Sequence, residues 1–304
     1  MLPYGRYLAV VLLLPLIVLL LTFPLARSQA FLRISRRQLW HATHYRYIAP
    51  PHQDCDVVIA GDSSGMFGVD PRAIEARTGW KTCNIALPYV ATAVAGTRVL
   101  DDYLAQNRPP RFIVFHLSPT HLRPPEMDEE NGIIDAWVMA AQEFPAAEAA
   151  RLFVAHPLST LRFASAIWKE FLTTKQVLRP DWTGQTFDRD MHAQEEERGW
   201  MKQLGTTPKV VCDWQPAKVR NDRRYLDALT TRYSNANTTA VVWTSPVRDC
   251  DAHIAEYQRQ AAALGLPPVL VYDRTLFVDA YHLNTVGAAK NATSLADYLE
   301  SRRR

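Results

Sequence analysis

The stretch VVIAGDSSGMFGVDP, Val57 to Pro71, decides how the rest of the chain is read. Four apolar residues run into Gly61-Asp62-Ser63-Ser64-Gly65, and a new polar segment opens at Asp70-Pro71. A short apolar run bounded by turn residues is the pattern of a buried strand. The small, hydroxyl-bearing turn after it either reverses the chain or holds a serine at the carboxyl end of the strand, where open α/β sheets place their ligands.

Outward from this point, strands and helices alternate. DVVIAG (56–61) is the first strand, and PRAIEARTG (71–79) is a helix that begins with Pro and ends with Gly. KTCNIAL (81–87) predicts a second strand and ATAVAGTRVLDDYLAQN (91–107) an amphipathic helix. RFIVFHLS (111–118) is the third strand, TTAVVWTSP (238–246) the fourth and PVLVYD (268–273) the fifth. DAHIAEYQRQAAALG (251–265) and TVGAAKNATSLADYLESR (285–302) are the remaining helices. Such alternation predicts an α/β fold, a parallel sheet covered on both faces. From about Pro119 to Val210 the rhythm breaks into a helical stretch rich in Trp and Phe, which reads as an insertion, since strands resume after it. An insertion near the strand ends is where a lid or partner surface would sit. Its tryptophans either pack a core or stack on sugar rings.

The amino terminus is different in kind. LAVVLLLPLIVLLLTFPLA, Leu8 to Ala26, is 19 residues without a charge, about the length that crosses a hydrocarbon core of ~30 Å. It is expected to be a retained signal anchor (residues 1–27), the alternative being a signal peptide cut after Ala30. Residues 28–52, with Trp40, Tyr45 and Tyr47 ahead of Pro50-Pro51, read as a membrane-proximal stalk whose aromatics belong to a membrane interface or to ordinary packing. Arg27, Arg33, Arg36 and Arg37 on the carboxyl side, against Arg6 on the other, would by themselves place the following domain in the cytoplasm.

The totals exclude several classes. Of 304 residues, 48% are hydrophobic and 21% charged, values of a folded chain. A net charge of +3 with no basic helix argues against a nucleic-acid partner. Cys55, Cys83, Cys212 and Cys250 form no Cys-x-x-Cys pair, so no zinc site is implied. Cys55 starts the first strand and Cys83 lies in the second, so disulfides 55–83 and 212–250 are one reading and buried free thiols the other. EMDEEN (126–131) is expected to be an exposed acidic loop.

A serine hydroxyl is a poor nucleophile until a base takes its proton. Of nine histidines, His41, His44 and His52 lie in the stalk, and His121, His156 and His192 in the insertion. His253 starts a helix, and His116, inside a strand, is expected to be a satisfied core residue. His282 stands apart. FVDAYHLNTVG places Asp279 three residues before it, in the loop between the fifth strand and the last helix. Loops after parallel strands meet at one sheet edge, so Ser63 and His282 are expected to approach there. Ser64 is expected to cap the turn, and Asn284 to hold the loop.

GDSS at 61–64 with DAYH at 279–282 resembles the first and last blocks of the SGNH (GDSL) hydrolase superfamily. The resemblance implies a three-layer α/β/α, flavodoxin-like parallel sheet of about five strands over residues 53–304. It implies Ser63 as nucleophile, His282 as general base and Asp279 as the carboxylate that orients it. It implies no metal and no organic cofactor. Where the family offers an oxyanion-binding glycine, this chain has Ala86 and Tyr89. Where the family offers an asparagine after the third strand, it has FHLSPTH, with Ser118 as the substitute donor. Ser63, Ala86 and Ser118 are thus the expected oxyanion groups.

The continuations GDSSGMFGVDP and DAYHLNTVG are similar to a membrane-anchored branch that includes the D-alanyl-lipoteichoic acid transfer protein and O-acetylation proteins of alginate and cellulose export. That branch implies a single-pass protein of the inner membrane with its domain in the periplasm, against the arginine count. It implies acyl, above all acetyl, transfer or ester hydrolysis on an envelope polysaccharide, with a multi-spanning membrane acyltransferase as partner. Two other readings stand beside it: an inactive scaffold for the same machinery, and a membrane-proximal lipase.

Overall fold

An apolar run without alternation is stable as a strand only when both of its faces are covered. The computed structural model, which describes residues 17–18, 20–28, 40–48, 51, 53–126, 133–173, 185–202, 212 and 221–303, covers them with helices. The chain divides into two compact units, Met1–Tyr45 with Asp128–His192, and Arg46–Met127 with Ala193–Arg304.

In chain order the elements are α1 (Trp40–Ile48), β1 (Val57–Gly61), α2 (Ser63–Gly68), α3 (Pro71–Thr78), β2 (Thr82–Asn84), α4 (Tyr89–Ala95), α5 (Arg98–Gln106) and β3 (Phe112–Leu117). The helices α6 (Ile133–Glu143), α7 (Ala146–Ala155), α8 (Pro157–Thr173) and α9 (Gln185–Glu196) follow. The sheet then resumes through α10 (Arg223–Tyr233), β4 (Thr239–Thr244), β5 (Val247–Arg248), α11 (Ile254–Leu264), β6 (Val271–Tyr272) and α12 (Thr285–Ser301).

In the second unit, four strands form a parallel sheet in the order β2-β1-β3-β4, an arrangement of the flavodoxin-like kind. The pleat sends Val57, Ile59, Val114 and Trp243 to one face, against Ile74 of α3 and Leu295 and Leu299 of α12. On the other face Ala60 and Phe115 meet Val99 and Leu100 of α5 and Leu229 of α10 around a cavity of about 50 Å³.

Three expectations change. The fifth strand does not extend this sheet: β4 makes its last rung to β3 at Ser245, N–H to Leu117 O at 2.8 Å, and the chain then passes through Pro246, which has no N–H to offer a ladder. The chain pairs anew past the proline, β5 with β6, in a separate parallel ladder. The helix expected over 91–107 is two helices, α4 and α5, parted at Gly96, whose φ of 56° terminates the first. And only residues 128–192 of the stretch expected as an insertion leave the sheet unit, clustering instead with Met1–Tyr45.

Both disulfides are present, Cys55–Cys83 between the start of β1 and β2, and Cys212–Cys250. Tyr45 and Tyr47 of α1 are buried, in keeping with packing. Most of the expected membrane segment and of the EMDEEN run lies outside the described residues. Among those described, no helix is long and apolar enough to cross a membrane.

Candidate active site

β1 ends at Gly61, whose φ of 132° belongs to glycine alone; a Cβ there would lie 1.9 Å from the backbone oxygen of His116 on β3. This close approach sets the first turn of α2 directly on the carboxyl end of the sheet. Asp62 caps that turn and Ser63 is its first residue.

Across the edge, the loop Phe277–Leu283 is closed on itself. Phe277 and Leu283 form an antiparallel bridge, and Val278 N–H bonds His282 O at 2.9 Å. Asn284 accepts from Gly287 N–H at 2.9 Å as the cap of α12 and donates to Thr275 O at 2.7 Å. Trp200, Phe277 and Leu283 pack together beneath, and the Trp200 indole N–H donates to Phe67 O at 2.8 Å, tying the loop's support to α2.

The loop brings the three expected residues together. His282 Nε2 lies 3.0 Å from Ser63 Oγ, and His282 Nδ1 lies 2.8 Å from Asp279 Oδ2. A carboxylate only accepts, so Nδ1 carries the proton and Nε2 presents its lone pair to the serine O–H. Asp279 Oδ1 accepts the N–H groups of Tyr281 and His282 at 2.7 and 2.8 Å. Burial works to raise the Asp279 carboxyl, but His282 and these two N–H groups outweigh it and hold it below the usual range. The Phe67 ring meets the His282 ring edge-on at 4.8 Å and fixes its tilt.

The expected oxyanion donors are spent elsewhere. Ala86 N–H bonds the Asn84 side chain at 3.1 Å, and Ser118 N–H bonds Asp62 Oδ2 at 2.9 Å. The Ser118 hydroxyl pairs with Thr120 at 2.9 Å. Ser63 N–H, by contrast, makes no hydrogen bond within the described residues.

A second Asp–His pair, not anticipated from the sequence, shares this edge. Asp62 is fully buried and accepts from Ser64 N–H (2.8 Å), Ser64 Oγ (2.6 Å), Ser118 N–H and His121 Nδ1 (2.7 Å). Burial disfavours its charge, yet the His121 bond and charge, with those of Ser64 and Ser118, bring its pKa down to about 2. His121 stacks on Tyr89 at 4.0 Å, and its Nε2 has no hydrogen-bond partner among the described residues. The one available signal was position, since His121 follows β3 by four residues and so falls at the strand ends.

His116 is the satisfied core histidine expected. Asn291 donates to its Nε2 at 2.9 Å, so its Nδ1 carries the proton toward Ser64 Oγ at 3.3 Å. Burial pushes it down to about 4. Asn291 in turn accepts from the Trp243 indole at 3.1 Å and donates to Gly68 O at 2.8 Å, binding α2, β4 and α12 under the site.

No family model, no curated protein and no solved structure matches this chain. What the edge can do therefore follows from its geometry. A serine hydroxyl held by a neutral imidazole, itself held by a carboxylate, is the arrangement that activates an oxygen nucleophile.

Proposed function

We propose that this chain is a membrane-anchored, SGNH-like serine acyltransferase or esterase acting outside the cytoplasm on an acyl, most simply acetyl, ester of an envelope polysaccharide. One observation carries the chemistry: Ser63, His282 and Asp279 stand in hydrogen-bonded series at 3.0 and 2.8 Å at the carboxyl edge of a parallel sheet. The motifs at 61–64 and 279–282 support the family, and two disulfides support an oxidising compartment. The polysaccharide and a multi-spanning acyltransferase partner rest on the resemblance.

In this mechanism Ser63 Oγ attacks the ester carbonyl carbon as its proton passes to His282 Nε2, and Asp279 stabilises the imidazolium. The carbon–oxygen bond to the donor alcohol breaks as His282 returns the proton to the leaving oxygen. A sugar hydroxyl or water, deprotonated by His282, then takes the acyl group from Ser63. Ser63 N–H is the group we assign to the carbonyl oxygen, in place of the engaged Ala86 and Ser118 N–H groups; because Asp62 holds the Nδ1–H of His121, that ring joins it at Nε2 only as the N–H of an imidazolium.

The experiment is labelling of the full chain in detergent with a fluorophosphonate ester, the adduct being located by mass spectrometry. An adduct on Ser63 that is lost in His282→Ala is expected. A folded protein that forms none would favour the second reading, an idle scaffold, which the engaged Ala86 and Ser118 N–H groups already favour.

A further inference from the structure

Exposed apolar side chains are unevenly placed between the two units. Of the nine large hydrophobic residues that remain exposed among those described, seven belong to the unit built from Met1–Tyr45 and Asp128–His192. Four of them, Val154, Leu158, Leu161 and Leu172, lie on α7 and α8, with Val154 80% and Leu172 74% exposed. The other three, Ile17, Leu20 and Leu21, lie at the described end of the uncharged run.

The exposure on α8 is not a shortage of buried surface. Its Phe163, Ala164 and Ile167 are already buried, and Phe163 joins Trp137 and Phe153 in an aromatic cluster with centroids 4.7 to 6.4 Å apart. A helix that fills a core with one stripe ordinarily offers water a polar face. Here the outward face carries leucines interleaved with exposed Arg162 and Lys169. Leucines set among long cationic side chains are the pattern of a helix lying at a lipid surface, where Lys and Arg reach the headgroups.

α8 and α7, through Trp168 and Phe153, and the end of α6, through Gln142 and Phe144, are fastened to the chain at Thr22–Arg27. The Trp168 indole donates to Thr22 Oγ1 at 2.8 Å, Phe23 meets Phe153 at 5.5 Å, Gln142 donates to Ala26 O, and Arg27 donates to Phe144 O at 3.0 Å. Residues 20–27 are helical, so Thr22 and Phe23 stand about 6–8 Å along the axis from Arg27. With Arg27 at the headgroups, helices touching Thr22 and Phe23 lie at the depth of interfacial helices, roughly 5–10 Å in.

We infer that α7 and α8 form a second membrane contact, their outward Val154, Leu158, Leu161 and Leu172 seated in the acyl-chain boundary of the bilayer that holds the anchor, with Arg162 and Lys169 at its headgroups. The inference rests on reading Leu8–Ala26 as a membrane segment and is independent of the chemistry at Ser63. It is tested on the full chain reconstituted in vesicles of phosphatidylethanolamine and phosphatidylglycerol. Single variants Leu158→Cys, Leu172→Cys, Leu20→Cys and Val286→Cys each carry an environment-sensitive fluorophore, Val286 being an exposed residue of the sheet unit. The expected result is blue-shifted emission, with most of it lost to a lipid-borne nitroxide, at 20, 158 and 172, and neither change at 286. Lipid signals at 20 alone would overturn the platform while sparing the anchor, and would turn that face over to a protein partner. Aqueous signals at all four positions would overturn the anchor and the platform together.

Discussion

Asp62→Asn should be among the most damaging conservative changes in the sheet unit, and its effect should depend on pH. The carboxylate is fully buried and accepts four hydrogen bonds, of 2.6 to 2.9 Å, from Ser64, Ser118 and His121. An amide keeps the shape but offers a single acceptor oxygen and turns an NH2 group toward donors. The carboxyl titrates at about 2 instead of its ordinary 3.8, a difference just under two pK units, or ~2 kcal/mol at neutral pH. A buried donor left unmatched adds ~1–3 kcal/mol, so the total is ~3–5 kcal/mol. Because the folded pKa lies below the unfolded one, the charge-dependent part is present above about pH 4 and is lost as pH falls through 2. Urea unfolding of wild type and variant in mild detergent, followed by tryptophan fluorescence from pH 7 to 2, measures the difference directly. Because the Asp62 charge also raises His116, the two proteins are compared in a shared His116→Gln background. A gap that narrows by ~2 kcal/mol toward pH 2 is expected. A gap independent of pH, or one below ~1 kcal/mol at pH 7, would refute the assignment of Asp62 as a buried charged hub.

Three further outcomes follow from the same edge. Asp279→Asn should lower kcat on an aryl acetate by about 10²–10⁴ while melting like the parent, since Asp279 is half-exposed and acts by holding His282; an unchanged rate would remove it from the relay. His121→Ala should lower kcat by about 10²–10³ with KM nearly unmoved, as for loss of one donor to the carbonyl oxygen, and wild-type turnover would leave His121 a purely structural partner of Asp62. His116, pushed down to about 4 against an ordinary 6.5, lets the unfolded chain take its proton first, so stability should fall by ~3 kcal/mol as pH drops from 6.5 toward 4. His116→Gln should flatten that slope in a urea titration, and an unaltered slope would assign it to other groups.

What the sequence disclosed divides along a physical line. β1, β3 and β4 were legible because strands buried on both faces leave an uninterrupted apolar run, which needs no partner to be recognised. The Ser63–His282–Asp279 series was legible for a related reason. Parallel topology delivers every strand-end loop to one edge, and the two motifs carrying those residues are local. The break at Gly96 and the turn of the ladder at Pro246 are also local, but each lies inside a pattern strong enough to be read as continuous.

The donors to the carbonyl oxygen belong to another class of question. Whether Ala86 N–H is free depends on the Asn84 side chain folding back two residues, and whether Ser118 N–H is free depends on an aspartate 56 residues earlier. Neither fact has a periodicity. The same aspartate fixes His121 from 59 residues away, so one buried charge both removes an expected backbone donor and positions an imidazole at the edge that lost it. Under the function proposed above, the place of the block that is absent as a motif would be taken by a side chain from the same loop. Labelling of Ser63, rather than the count of matching blocks, decides between an active and an idle site, and turnover in His121 variants then decides what His121 contributes.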